Sequence, residues 1–146
     1  MEITQNTLSK LKKQGISVID SFATKYQLNF LNQEFDKFLS KEHLGAKHTQ
    51  YSKGRCTRVI TNEYNKDEFP STHSFFSNKD FNTIAIKHLG NKVNLNSEIF
   101  VVEDIVGSEH IANDLHYDVV NTLKFFLYLT DTTEENGAFT CVPGSH

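Results

Sequence analysis

Cysteine, proline and arginine are scarce in this sequence, tryptophan is missing, and neither apolar residues nor charges of one sign gather into long runs. Cys56 and Cys141 share no metal-type spacing, and two isolated cysteines in a chain without a secretion signal read as reduced thiols. A disulfide scaffold is excluded. The longest basic run is the pair Lys12-Lys13, at a net charge of −3 and a pI near 6.1, so nucleic acid is not an expected partner. No apolar stretch approaches the roughly 20 residues of a membrane span. The opening Met1-Glu2-Ile3-Thr4 has no signal-peptide layout, so the expected place is the cytoplasm, away from membrane. Repeats, low-complexity stretches and linkers are also missing, and residues 1–146 read as one domain.

What is present suits a packed fold. Hydrophobic residues make up 38% of the 146, enough to bury a core. Asn6 or Thr7 caps a short helix running to Lys13, and Gly15 ends it in the left-handed position. Residues 16–19 read as a strand. Phe22, Tyr26, Phe30, Phe35, Phe38 and Leu39 fall near helical spacing, so residues 22–39 form an amphipathic helix capped by Asp20 or Ser21, its aromatic stripe facing the core.

Residues 40–77 are polar and irregular, with Gly45, Gly54 and Pro70 as punctuation and one strand at 55–61. Such a segment serves either substrate contacts or a plain surface connection. Arg55 and Arg58 are the only arginines; they suit an anion, or simply solvent. A helix from Asn78 or Asp80 places Phe81, Ile84, Ala85, His88 and Leu89 on one side and ends at Gly90. A strand follows at 98–106, then a loop at 107–114. His43, His48 and His73 read as surface or loop residues, and His88 as a satisfied core histidine. His110 reaches the neighbourhood of His116 only if the loop folds back.

The remaining stretch, LHYDVVNTLKFFLYLTDTTEENGAFTCVPGSH from Leu115 to His146, carries the chemistry. His116 and Asp118 are two apart beside β-prone Val119 and Val120, and residues at i and i+2 of an extended strand share a face. One imidazole and one carboxylate are two-thirds of the 2-His-1-carboxylate triad that holds Fe(II) with positions left open. The same pair also suits a plain hydrogen-bonded contact in a β-sandwich. Residues 123–130 split by parity into an apolar set (Leu123, Phe125, Leu127, Leu129) and a mixed set (Lys124, Phe126, Tyr128, Thr130), as in a strand. Residues 134–137 make a turn, 138–142 a returning strand, and Pro143-Gly144 stops it. Cys141 reads as a small core residue.

His116-Tyr117-Asp118, the strand ending at Asp131, Asn136-Gly137-Ala138-Phe139 and Val142-Pro143-Gly144-Ser145-His146 together resemble the phytanoyl-CoA dioxygenase family. The resemblance covers essentially the whole chain. It implies an Fe(II)- and 2-oxoglutarate-dependent dioxygenase that hydroxylates a small organic substrate, with Fe(II) on His116 and Asp118 and with 2-oxoglutarate as cosubstrate. The carboxylate of Asp118 favours hydroxylation, since related halogenases lack it. The implied fold is mostly β with flanking helices, an α+β arrangement: a partial double-stranded β-helix, or jelly-roll barrel. Helices and a strand in 1–95 would brace it, and its first strands would lie in 96–146. Lys124 and Phe126, on the mixed face, are the candidate cosubstrate contacts.

The sequence departs from the family pattern in two places. The family's third iron ligand is a histidine well beyond the Pro-Gly-Ser-His turn, and an arginine after it pairs with 2-oxoglutarate; neither position is matched here. His146 corresponds to the histidine of the turn, which is not the ligand. The chain therefore reads as the amino-terminal portion of a dioxygenase domain. Unpaired barrel strands would favour a protein partner or self-association. The competing expectation is a non-catalytic half-barrel that binds a partner through its open edge.

Overall fold

The computed structural model describes residues 5–40, 52–53, 56–60, 66–93, 99–104, 109–110 and 114–146. In chain order these hold α1 (Gln5–Gln14), α2 (Lys25–Ser40), β1 (Ser52–Lys53), β2 (Cys56–Ile60), α3 (Pro70–Phe76), α4 (Lys79–Leu89), β3 (Phe100–Asp104) and β4 (Glu109–His110). Among the described residues no helix is long and apolar enough to cross a membrane.

Local rules account for most boundaries. Gly15, at φ +75°, ends α1 by donating its N–H to the Leu11 carbonyl at 2.9 Å. Neither Asn6 nor Thr7 caps that helix, since both lie inside it. Thr24 and Gln27 open α2 as a reciprocal capping box: Gln27 N–H donates to Thr24 Oγ1 (3.2 Å), and Thr24 N–H donates to Gln27 Oε1 (2.9 Å). The expected cap at Asp20 or Ser21 is thereby displaced, and Ser21 instead takes a left-handed turn at φ 56°. Asn78 caps α4 as expected, accepting from Asp80 N–H at 3.0 Å.

The core is aromatic and lies between helices. Phe38 of α2 stacks on Phe69 at 3.8 Å and 14°, with both rings essentially sealed from water. Phe22, Phe75 and Phe81 form a second cluster with centroids 5.2 to 5.9 Å apart. Leu31 and Ile84 complete the interior. The buried stripe of α2 is Leu31, Glu34 and Phe38, at i, i+3 and i+7. It is offset from the expected aromatic stripe: Tyr26 and Phe30 are exposed and pack edge-to-face on each other at 4.6 Å.

Segment 40–77, expected to be irregular, contains α3. Pro70 sits at its first position, where a missing N–H costs nothing. Its free backbone donors are met from α2: the buried Glu34 carboxylate accepts from Ser71 N–H (2.7 Å), Thr72 N–H (2.8 Å) and Thr72 Oγ1–H (2.7 Å). Burial alone would raise the Glu34 carboxyl; the bonds from Thr72 and Ser71 outweigh it and hold the group below its ordinary value.

The expected mostly-β jelly roll is not what forms. The described residues carry helices of 10, 16, 7 and 11 residues and only two antiparallel strand pairs, β1 with β4 and β2 with β3. The strands expected at 55–61 and 98–106 are present as β2 and β3, paired from Cys56 opposite Asp104 to Ile60 opposite Phe100. Residues 16–19 are not a strand, and 123–130 and 138–142 form no ladder. Side chains meet several backbone groups near the ends of these segments. Asn32 Nδ2 donates to the Leu129 carbonyl (3.3 Å), Thr132 Oγ1 to that of Thr130 (3.1 Å), and Asn136 Nδ2 to that of Asp131 (2.9 Å). Phe139 N–H donates to the Tyr128 hydroxyl at 2.9 Å. Side chains thus occupy groups that a neighbouring strand would use.

The parity reading of 123–130 nonetheless holds at the level of packing. Leu123, Phe125, Leu127 and Leu129 are half-buried, while Lys124, Phe126, Tyr128 and Thr130 are exposed. Phe125 reaches the helical cluster, 4.7 Å from Phe81. The turn expected at 134–137 is a 3-10 turn over Glu134–Asn136 with Gly137 left-handed at φ 93°. Beyond it the Pro-Gly-Ser-His turn docks on the end of α1. Gly144 N–H donates to the Gln14 carbonyl at 3.0 Å, and His146 lies so close over Gly15 that a β-carbon there would meet Nδ1 at 2.7 Å.

Candidate functional site

Residues 114–124 carry the candidate site; 114–122 are exposed at odd and even positions alike, and half-buried positions begin at Leu123. His116 and Asp118 are both exposed. The His116 ring is held through one nitrogen, Nδ1, which lies 2.6 Å from the Asp114 carbonyl oxygen. A carbonyl only accepts, so Nδ1 carries the hydrogen, and in the neutral ring Nε2 keeps its lone pair. That is the tautomer a metal-ligating histidine uses.

Asp118 is likewise held through one atom. Thr122 Oγ1 donates to Oδ2 at 2.8 Å, and Lys124 Nζ stands 2.7 Å from the same oxygen. The Lys124 hydrogen bond first, and the Thr122 bond second, keep the Asp118 carboxyl below the usual carboxylate range; the charges of Lys124 and His116 act in the same direction. With the His116 ring neutral, the dyad offers one nitrogen lone pair and one ionised carboxylate. Among the described residues no group of three or more His, Cys, Asp or Glu side chains could hold a metal ion. The two donor types are of the kind Fe(II) takes.

Phe126 is exposed and packs against Phe139, centroids 5.2 Å apart. Lys124 has its ammonium on Asp118. His73 is exposed on α3, and His88 is half-buried on α4. His110 pairs with Ser52 in the short β1–β4 ladder. His43, His48, Arg55 and most of the loop at 107–114 lie outside the described residues. Cys141 is a free, half-buried thiol. An open groove lined by Phe22, Gln27, Ser74, Phe75, Asn78 and Asp80 belongs to the helical layer, and neither dyad residue borders it.

The sequence pattern of the phytanoyl-CoA dioxygenase family matches residues 11–146. The chain belongs to the phytanoyl-CoA dioxygenase family. The matched span contains His116, Asp118 and the Pro-Gly-Ser-His turn, the motifs that carried the resemblance. No curated protein and no solved structure matches the chain. Members of the phytanoyl-CoA dioxygenase family are typically Fe(II)- and 2-oxoglutarate-dependent oxygenases.

Thr122 is the site residue that sequence reasoning overlooked, together with the contact of Lys124 to Asp118. No pattern in the sequence marks it: an extended chain would hold residues 118 and 122 about 13 Å apart, and the contact forms because the chain bends at 119–120.

Proposed function

We propose that the protein is an Fe(II)- and 2-oxoglutarate-dependent dioxygenase that hydroxylates a small organic substrate, with His116 and Asp118 as protein ligands to the metal. The observation that carries this reading is the dyad, within a chain of the phytanoyl-CoA dioxygenase family: a histidine fixed through Nδ1 beside a carboxylate kept ionised by Lys124 and Thr122. Bound Fe(II) and 2-oxoglutarate supply the activation of dioxygen for C–H oxidation. His116 offers Nε2, and Asp118 offers a full negative charge that neutralises part of the metal's. Lys124 and Phe126 are exposed on the same even-numbered side, where an anionic cosubstrate can meet a cation and an aromatic face.

The test is Fe(II) binding by the wild type, His116→Ala and Asp118→Ala. The expected result is Fe(II) binding in the wild type and its loss in each variant. Unchanged Fe(II) binding in both variants overturns the reading.

A second reading draws on the lack of a third donor among the described residues. In it the protein is a non-catalytic module that associates with a partner, or with itself, through the open edges of its two-stranded ladders. The same experiment separates the two. A wild type that does not bind Fe(II), yet sediments as a dimer or complex, favours the second.

A further inference from the structure

Asn136-Gly137 is the one Asn-Gly pair in the sequence, and the glycine sets its chemistry. A main-chain nitrogen that follows an asparagine can attack the side-chain carboxamide and close a five-membered ring, and a glycine there adds no side chain to obstruct the approach. Both residues are exposed, and open space surrounds the position a Gly137 β-carbon would take, so water reaches the pair. In the folded turn, however, both ends of the carboxamide are held. Oδ1 accepts from Thr133 N–H at 2.5 Å, and Nδ2 donates to the Asp131 carbonyl at 2.9 Å. Both partners precede Asn136, so its side chain is drawn back from Gly137. The backbone acts in the same sense: a 3-10 residue has ψ of about −20 to −30°, which leaves the next nitrogen roughly a quarter-turn from the β-carbon it would have to eclipse for the ring to close.

We infer that Asn136 is a conformation-gated deamidation site: the closed turn shields its carboxamide from the Gly137 nitrogen, and a turn that opens is converted to aspartate or isoaspartate and does not re-form. In the open turn the Gly137 nitrogen attacks Cγ. The N–Cγ bond forms, the Cγ–Nδ2 bond breaks, and ammonia leaves with the proton of the attacking nitrogen. Water then opens the resulting succinimide. Addition at the side-chain carbonyl gives aspartate; addition at the main-chain carbonyl gives isoaspartate, whose backbone runs through the β-carbon.

Neither product fits the turn. Aspartate has no Nδ2–H for the Asp131 carbonyl and sets a carboxylate oxygen against it. Isoaspartate adds a methylene to the main chain inside a turn closed by Ala138 N–H on the Thr133 carbonyl (3.0 Å) and by Phe139 N–H on the Tyr128 hydroxyl (2.9 Å). Conversion is therefore one-way, and neither His116 nor Asp118 takes part in it.

The test holds the full chain at one mildly alkaline pH and one temperature, in native buffer and in urea beyond its unfolding midpoint. Mass spectrometry of digests follows the replacement of –NH2 by –OH in the peptide that carries Asn136. Conversion in native buffer is expected to run about 10-fold or more slower than in urea, because only the open fraction of the turn reacts. Asn136→Asp, which carries one product from the start, is expected to unfold at a lower temperature than wild type. Equal rates in native buffer and in urea, or no conversion in either, would overturn the gate. Asn136→Asp with the wild-type midpoint would overturn the one-way step.

Discussion

Glu34 of α2 holds the first turn of α3 through Thr72, accepting from its backbone N–H at 2.8 Å and its hydroxyl at 2.7 Å. Replacing Glu34 by Ala leaves the buried donors of Thr72 and the half-buried Ser71 N–H unmet, which costs about 1–3 kcal/mol. Urea denaturation of wild type and Glu34→Ala measures this loss.

The same carboxylate makes stability depend on acid. Its pKa in the folded protein lies below the ordinary value of 4.5, so its stabilising contribution is fully present above that value and is lost as pH falls through the lower, folded one. Denaturation midpoints from pH 7 down to pH 3 should therefore fall more steeply in wild type than in Glu34→Gln. Parallel curves would assign the acid dependence to other groups.

Gly15 is required twice, by its φ of +75° and by His146 above it. Gly15→Ala is expected to cost about 1–2 kcal/mol for the left-handed backbone alone, with a further loss from the collision. His146→Ala should relieve the second part only, so Gly15→Ala should cost less in that background. Equal costs in both backgrounds would remove His146 from the account.

The stacked pair Phe38 and Phe69 closes the α2–α3 interior. Truncation of either ring to Ala should destabilise by about 3–5 kcal/mol, because the cavity is walled by helices that relax only in part. Thermal unfolding by circular dichroism would show the loss as a lowered midpoint.

Phe81 and Phe125, 4.7 Å apart, join the helical layer to the segment that carries the dyad. A double-mutant cycle to Leu at both positions should return a coupling of about 0.5–1.5 kcal/mol. A zero coupling would mean that segment 123–130 is held by Asn32 and its leucines without help from the aromatic contact.

Elements governed by near neighbours were legible in the sequence. Gly15 and Asn78 bound their helices as their chemistry dictates, and Thr24-Lys25-Tyr26-Gln27 is a capping box open to inspection. The alternation over 123–130 gave the correct buried set and the wrong element. Alternation reports which side packs; it does not supply a neighbouring strand, and here Asn32, Thr132, Asn136 and Tyr128 hold backbone groups on this segment and its return. Glu34 was hidden because a carboxylate in a core stripe reads as a break in it, and its partners lie on a helix in a segment that looked irregular. His116 and Asp118 were visible by spacing. Thr122 was passed over because a hydroxyl between valines and a strand has no signature until the carboxylate it serves is placed.

The seating of the Pro-Gly-Ser-His turn on α1 also sets an order in time. Gly144 meets the Gln14 carbonyl, so the first helix leaves the ribosome almost the whole sequence ahead of the residue that completes its end. At ordinary rates of synthesis that interval is on the order of ten seconds. Throughout it α1 lacks its final contact, and a nascent chain stalled anywhere before residue 144 would display that helix end to proteases and chaperones. Limited proteolysis at residues 11–15 is therefore a readout of whether the distant turn has been made.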